Sequence, residues 1–161
     1  AILSGCDKEA IEDVLSSFTG VRHRMQYVKE LRGRKYYNDS KATNTLATKS
    51  ALAAFDAPTI LIAGGLDRGH SFEELRPFMD NVKDVVTIGE TKDRLSEFVL
   101  SCGVEKIVHA TTMDNAVQLA HSLSEEKDII LLSPASASWD QYASFEIRGD
   151  EFIKAVLSLK S

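Results

Sequence analysis

The sequence has little cysteine and no surplus of positive charge, and both shortages narrow the classes of function. Only two of its 161 residues are cysteines, Cys6 and Cys102, and they form no CxxC pair or histidine–cysteine cluster. This arrangement argues against a structural zinc site and indicates buried thiols in a reducing compartment. The formal net charge is −5. Because proteins that bind nucleic acids usually carry a basic surplus that neutralises phosphates, we expect no nucleic-acid partner.

Long apolar runs and a leader sequence are also missing. No stretch approaches the roughly 20 apolar residues that span a bilayer. The opening residues, AILSGCDKEAI, contain no methionine and lack the layout of a signal peptide. We therefore expect a cytoplasmic, monomeric protein without membrane contacts, and a chain that is a piece of something larger. The hydrophobic content of 43% and the charged content of 27% are typical of one folded domain.

Several motifs that would fix a chemistry by themselves do not occur. The chain has no GxxxxGK[ST] phosphate loop, no full GxGxxG fingerprint and no GxSxG nucleophile elbow. It also lacks the DxDxDG spacing of a calcium loop. Any ligand site must therefore be assembled from several weaker signals.

What the sequence does have is a regular alternation of short β-rich runs with helical segments. A helix is predicted over residues 7–18, and the runs MQYVKEL and RKYY on either side of Gly33 predict a hairpin. A helix over residues 41–55 follows. Later strands are predicted at 58–63, 84–89, 106–110 and 128–133, and later helices at 71–79, 91–102, 112–126 and 150–160. The pattern predicts an α/β fold: a Rossmann-like, mostly parallel sheet with helices on both faces and an N-terminal β-hairpin.

The segment NDSKATN, residues 38–44, follows the second β-rich run. In an open α/β sheet, ligands bind beyond the carboxyl ends of the strands, where this segment lies. Asn38, Asp39 and Ser40 are all preferred helix N-caps, and capping explains one of them. It does not explain three in succession, nor Lys41 in the first helical turn, where a cation opposes the helix dipole unless an anion meets it. The residues alone leave capping and ligand binding equally open.

Two further strand-to-helix loops carry groups suited to anions. In AGGLDRG, paired glycines allow close approach of the backbone, and Arg68 offers a planar fork for a carboxylate or phosphate. A simple glycine turn with a solvated arginine accounts for these residues at least as well. In SPASASWDQYASFEIRG, hydroxyl groups and aromatic rings can either bind a ligand or hold the loop in place. Those residues are Ser133, Ser136, Ser138, Trp139, Tyr142 and Phe145.

The order of these motifs is more specific than any one of them. Taken together, GVRHR, NDSKATN, GGLDRG and LLSPASASWDQYASFEIRGDEF resemble the C-terminal domain of the Mur ligases, from about Gly20 to the end. Within that family the resemblance is greatest to the branch that adds D-glutamate. It implies that residues 1–19 end a preceding central ATPase domain and that residues 20–161 form the C-terminal domain. Alternatives are a sister Mur ligase, a folylpolyglutamate-synthetase-like enzyme, or a non-catalytic nucleotide- or sugar-binding module.

The resemblance also implies a reaction in peptidoglycan synthesis. ATP with Mg²⁺ activates the carboxylate of UDP-N-acetylmuramoyl-L-alanine as an acyl phosphate, which the amine of D-glutamate attacks. A tetrahedral intermediate then releases phosphate and leaves an amide. The family's phosphate loop and metal-binding residues lie upstream of the present sequence. We therefore expect the isolated domain to be inactive.

Residue roles follow from the same resemblance, motif by motif. His23 and Arg24 match nucleotide contacts, and Asp39 matches the carboxylate that binds the ATP ribose. Lys41 matches a lysine that neutralises phosphate or intermediate charge, and is thus both a catalytic and a cofactor-binding candidate.

Four further residues match the amino-acid pocket of the family. Thr43 and Ser138 match hydroxyl contacts to a D-glutamate carboxylate, and Phe145 matches a residue that lines the pocket through its backbone. Arg68 falls where some relatives have lysine, and it is a catalytic and substrate-binding candidate. Since arginine makes a forked contact where lysine makes a point contact, its partner is less firmly implied.

Overall fold

The computed structural model describes residues 7, 8, 11 and 20–160. Most of the helix predicted over residues 7–18, and Cys6, lie outside the described residues. The described chain forms one six-stranded sheet with the strand order β1-β2-β6-β3-β4-β5. The strands are β1 (Gln26–Leu31), β2 (Arg34–Asn38), β3 (Thr59–Gly64), β4 (Val82–Ile88), β5 (Lys106–His109) and β6 (Ile129–Leu132).

The first two strands form the predicted hairpin. β1 pairs with β2 antiparallel, with Leu31 opposite Arg34, whereas every other pair of neighbouring strands in the sheet is parallel. The two-residue turn consists of Arg32 and Gly33, whose φ angles are +50° and +74°. Two positive φ angles are typical of the tight turn that matches the twist of paired strands, and glycine adopts one of them without strain.

Helices cover both faces of the sheet, as the alternation predicted. They are α1 (Thr45–Leu52), a 3₁₀ helix (Glu73–Phe78), α2 (Lys92–Ser101), α3 (Met113–Leu123) and α4 (Phe145–Ser158). Because successive strand side chains point to opposite faces, β3 divides its residues between two cores. Ile60 and Ile62 belong to the core under α3 and α4, and Leu61 and Ala63 to the core under α1, α2 and the 3₁₀ helix. No helix in the described ranges is long and apolar enough to cross a membrane.

Three predicted helix boundaries or types are wrong. The first helix begins after Asn44, whose side-chain Oδ1 accepts a hydrogen bond from the Ala47 amide at 2.9 Å. The proposed caps at residues 38–40 are therefore incorrect, and Lys41 precedes the helix instead of lying in its first turn. The segment at 71–79 is a 3₁₀ helix, with Pro77 inside it. The last helix starts at Phe145, five residues before the predicted start, with Ser144 as its N-cap.

The strand order brings three loops together. β6 lies between β2 and β3, and all three strands run parallel. Their carboxyl ends therefore meet at one edge of the sheet, where the segments after β2 (residues 39–44), after β3 (65–72) and after β6 (133–144) become neighbours. These are the three loops in which the sequence concentrates its polar motifs.

Candidate functional site

The segment after β2 is an ordered loop held by its own backbone and by the neighbouring strand. The Asp39 amide donates to the Leu132 carbonyl at 2.8 Å, continuing the pairing of β2 with β6. The Ala42 amide then donates to the Asp39 carbonyl, and the Thr43 amide to the Lys41 carbonyl, both at 2.9 Å. These turns delay the start of α1 until Asn44. They place Lys41 and Thr43 at the edge of the sheet, where each lines a cavity.

The larger cavity, of about 490 Å³, lies on one side of this loop and α1. It contains three of the four predicted nucleotide contacts, Arg24, Asp39 and Lys41. The rest of its lining is Met25, Ala42, Asn44, Leu46, Ala47, Ser50 and Ala51. The cavity thus combines two cations and a carboxylate with an apolar wall from α1, which suits a ligand with both anionic and apolar parts.

Asp39 is a buried carboxylate at the base of this larger cavity. Its Oδ1 accepts from the Met25 amide at 3.1 Å, and its Oδ2 accepts from the Ser133 hydroxyl at 2.9 Å. Burial raises the pKa of Asp39 above its ordinary value, while the Ser133 and Met25 hydrogen bonds and the charge of Arg24 oppose that rise. Each carboxylate oxygen has two acceptor sites. Asp39 can therefore still accept hydrogen bonds from a diol in the cavity.

The smaller cavity, of about 150 Å³, is lined by Thr43 of the same loop. All four predicted substrate-binding residues, Thr43, Arg68, Ser138 and Phe145, line it, together with Ala137 and Trp139. A water molecule takes about 30 Å³ of liquid volume, so the cavity holds a small polar molecule and not a nucleotide. It offers two hydroxyl groups and one guanidinium, which are suitable donors for a carboxylate.

The three cations of the two cavities form no salt bridge with any residue that the structure describes. Within the described part of the chain, the side chains of Arg24, Lys41 and Arg68 make no hydrogen bond or ion pair. Lys41 Nζ lies 5.7 Å from the centre of the Phe145 ring, and Arg68 Cζ lies 4.8 Å from the centre of the Trp139 ring. By contrast, Arg22 and Arg94 are paired with Asp150 and Asp67. Both cavities therefore present positive charge that is available to a ligand.

His23 is buried and lines neither of the two cavities. It is only 2% exposed, and its backbone has a φ angle of +62°. Asn38 Nδ2 donates to His23 Nδ1 at 3.0 Å, which assigns the ring proton to Nε2, facing Asp150 Oδ1 at 3.6 Å. Burial lowers the pKa of His23, partly offset by the charge of Asp150. The His23 carbonyl accepts from the Lys41 amide at 3.0 Å, so this residue supports the backbone that carries Lys41.

Arg148 is a site residue that sequence reasoning missed. It is 1% exposed, and burial lowers its pKa to about 10. Its guanidinium donates to the Ser40 carbonyl at 2.8 Å, the Ser40 hydroxyl at 3.0 Å and the Ser136 carbonyl at 3.0 Å. Arg148 thus ties α4 to the loops after β2 and β6. A signal was present, because Arg148 shares the helical spacing of the buried residues Phe152 and Val156.

Of the remaining candidate residues, Ser133 and Ser136 are buried and Trp139 is exposed. The Ser133 hydroxyl donates to Asp39 and lies 3.1 Å from the Thr48 hydroxyl, and Ser136 is fully buried with a hydroxyl that has no hydrogen-bond partner among the described residues. Trp139 is 65% exposed, so it does not hold its loop against the core. Among the described residues, no group of three or more histidine, cysteine, aspartate or glutamate side chains is arranged to hold a metal ion.

Comparison with known proteins shows the family of the chain. Residues 23–136 match the family model described as "Mur ligase, glutamate ligase domain". The chain is 54% identical over 157 residues to the UDP-N-acetylmuramoylalanine--D-glutamate ligases of Bacillus velezensis and Bacillus subtilis, with 98% of the chain covered. It is 54% identical over 161 residues to that of Geobacillus kaustophilus. The chain spans about a third of the length of these relatives, 35%, 35% and 36%.

Solved structures share the fold at much lower sequence identity. The UDP-N-acetylmuramate-alanine ligase of Thermotoga maritima superposes with a TM-score of 0.62 at 15% identity, covering 98% of this chain and 35% of that one. A murein peptide ligase from Psychrobacter arcticus gives a TM-score of 0.59 at 13% identity, over 92% of this chain and 33% of that one. Since the family model covers most of the chain and the motifs lie at its cavities, the chain belongs to the Mur ligase family, in which it matches the glutamate ligase domain.

Proposed function

We propose that this domain binds D-glutamate and part of ATP in an ATP-dependent ligase that joins D-glutamate to UDP-N-acetylmuramoyl-L-alanine. The observation that carries the proposal is the pair of cavities lined by residues 41–44, which together present three cations without an ion pair among the described residues. ATP brings several phosphates and D-glutamate brings two carboxylates. A domain with a net charge of −5 needs local cations to bind either of them.

In this proposal the larger cavity takes the nucleotide. Asp39 accepts hydrogen bonds from the ribose hydroxyls, and Arg24 contacts the base or phosphates. Lys41 neutralises charge on the phosphates and on the reacting centre. His23 acts indirectly, because its buried ring and its carbonyl fix the backbone of Lys41. The magnesium ion and most phosphate contacts belong to the rest of the complete enzyme, to whose central domain residues 1–19 are proposed to belong.

The smaller cavity takes D-glutamate. The hydroxyl groups of Thr43 and Ser138 donate to one carboxylate, and Arg68 makes a forked contact with a carboxylate at the rim. Phe145 closes the wall of the cavity beside Lys41. Holding the amine near the activated carboxylate converts the attack into an effectively intramolecular step. Lys41 and Arg68 then stabilise the negative charge that develops in the tetrahedral intermediate.

The test is a ligase assay on the complete protein that contains this domain. Incubation with UDP-N-acetylmuramoyl-L-alanine, ATP, magnesium and D-glutamate should release phosphate and form the amide product. Arg68→Ala should raise KM for D-glutamate more than KM for ATP, and Arg24→Ala should do the reverse. Lys41→Ala should lower kcat/KM at least tenfold, about 1.4 kcal/mol of transition-state binding.

A remote cation serves as the matched control. Lys154 lies on α4, with its side chain 77% exposed, and pairs with Glu151. Lys154→Ala should leave KM for D-glutamate, KM for ATP and kcat/KM unchanged. If the complete protein binds ATP but forms no product, the domain belongs to a non-catalytic nucleotide-binding protein and the proposal is wrong. Turnover by the isolated 161-residue chain would contradict the division of the site between domains.

A further inference from the structure

Trp139 is the sole tryptophan of the sequence, and it stands at the rim of the smaller cavity. The residue is 65% exposed, although a large aromatic ring on the surface forgoes the gain from burial. The Arg68 guanidinium lies over this ring, with Cζ 4.8 Å from its centre. That distance is within the range of a cation–π contact, which is strongest for tryptophan.

The backbone around Arg68 is fixed from both sides. The Asp67 amide donates to Glu90 Oε2 at 3.2 Å, and Asp67 Oδ1 accepts from the Gly69 amide and from Arg94. Two residues after Arg68, the His70 carbonyl accepts from Arg94 at 2.9 Å. Contacts to α2 and to the loop after β4 therefore hold the loop.

The Arg68 side chain has no comparable support. Among the described residues its one partner is the Trp139 ring, since it makes no hydrogen bond or ion pair. A long, exposed side chain on a fixed backbone samples many rotamers, and ordering it costs free energy when a ligand binds. The ring removes much of that freedom in advance. Stacking also uses only the face of the guanidinium and leaves its edge, with the N–H groups, directed to a carboxylate.

We propose that Trp139 is a positioning residue that stacks Arg68 flat at the mouth of the smaller cavity and so sets its forked contact with a substrate carboxylate. This inference rests on the proposed function, because the carboxylate is that of D-glutamate. The ring would orient a lysine in place of Arg68 less well, since an ammonium group has no plane to align.

A double-mutant cycle in the complete enzyme tests the coupling. Trp139→Leu should raise KM for D-glutamate about two- to fivefold while KM for ATP stays within about twofold, a size that fits an exposed cation–π contact. Trp139→Phe keeps a ring and should restore most of the affinity. In an Arg68→Ala background, Trp139→Leu should have no further effect, because the group that the ring positions is gone.

The matched control is another exposed arginine over an aromatic ring. Arg76 Cζ lies 5.5 Å from the centre of the Phe98 ring and lines neither cavity. Arg76→Ala should leave the kinetics unchanged. A second readout does not need turnover: NMR of the wild-type protein should show Arg68 side-chain protons shifted upfield by the ring current of Trp139, and Trp139→Leu should abolish the shift.

The outcomes separate the two proposals. If the wild-type enzyme forms no product, the proposed function is wrong, and the positioning of substrate falls with it. If the enzyme is active, the positioning role is overturned by any one of three results. These are additive effects of Trp139→Leu and Arg68→Ala, a Trp139→Phe variant as impaired as Trp139→Leu, or the absence of the upfield shift.

Discussion

A substitution at Gly149 tests the packing of α4 against His23, the residue that supports the backbone of Lys41. Gly149 lies inside α4, where alanine normally stabilises a helix by about 1 kcal/mol relative to glycine. A Cβ atom at this position, however, would lie 2.2 Å from His23 Nδ1 and 3.0 Å from His23 Cγ and Cε1. Because the His23 ring is buried and bonded to Asn38, it cannot move without breaking a contact. We therefore expect Gly149→Ala to destabilise the domain.

The size of the effect follows from three contributions. Forcing an extra carbon into a well-packed site costs about 1–3 kcal/mol. Losing the Asn38–His23 hydrogen bond costs about 1 kcal/mol, and the better helix propensity of alanine offsets about 1 kcal/mol. The free energy of unfolding should therefore fall by about 1–3 kcal/mol. Urea unfolding of the 161-residue chain, followed by far-ultraviolet circular dichroism, measures this change directly.

In a His23→Ala background, the expected effect of Gly149→Ala on the free energy of unfolding has the opposite sign. His23→Ala removes the ring and leaves space at Gly149, so Gly149→Ala should stabilise that variant by its helix propensity. His23→Ala alone is expected to be destabilising, and it serves as the reference for the double variant. The reasoning would be refuted if Gly149→Ala stabilised the wild-type chain, or if its effect had the same sign in both backgrounds.

Three further predictions concern Asp39, Arg148 and Asn44. Burial raises the pKa of Asp39 above 3.8, so the native state binds this proton more tightly than the unfolded state does. The free energy of unfolding of the wild type, relative to that of Asp39→Asn, should therefore increase as the pH falls from about 7 towards 3.8. Urea midpoints of the two proteins that run parallel across this range would contradict this prediction. The asparagine variant should still lose at least tenfold in ligase activity. Arg148→Lys keeps a charge but cannot donate to all three acceptors in Ser40 and Ser136. It should therefore lower the free energy of unfolding by at least about 2 kcal/mol in urea titration. An unchanged urea midpoint would show that the forked guanidinium contacts are dispensable. Asn44→Ala removes the cap of α1 and should cost about 1 kcal/mol in the same titration, whereas no loss would mean that the helix begins elsewhere.

Local patterns predicted the sheet well because each of its strands carries its own signal. The β-hairpin follows from two β-rich runs around Gly33, and the parallel sheet follows from buried runs that alternate with helices. The placement of β6 between β2 and β3 carries no local signal. That strand order decides which loops meet at the site.

The errors at residues 38–44 have a physical cause. Asn38, Asp39 and Ser40 are good caps by type, but their side chains are used in long-range contacts. Asn38 donates to His23 and the Gly149 carbonyl, Asp39 accepts from Ser133, and the Ser40 hydroxyl donates to the Phe145 carbonyl. A local pattern within the segment cannot reveal partners that lie so far away along the chain. The cap of α1 is Asn44 instead.

The candidate site was predictable in membership but not in arrangement. The motif resemblance named seven residues that line a cavity, and the structure divides them between two cavities that share one loop. The eighth, His23, has a role that depends on burial against Gly149, which residue type alone does not show. The same holds for Trp139, because a tryptophan in a loop is equally consistent with packing and with exposure until Arg68 is found above it.

The three cations that line the cavities have an electrostatic consequence for the way ligands arrive. The chain as a whole is negative, yet Arg24, Lys41 and Arg68 gather at one edge of the sheet. At physiological ionic strength, exposed charges are largely screened beyond about 8 Å. An approaching anion therefore feels little of the overall repulsion and is attracted only near the mouth of a cavity. Selection by this domain thus depends on contact at short range and owes little to long-range steering, so moderate changes in salt should alter its capture rate only weakly.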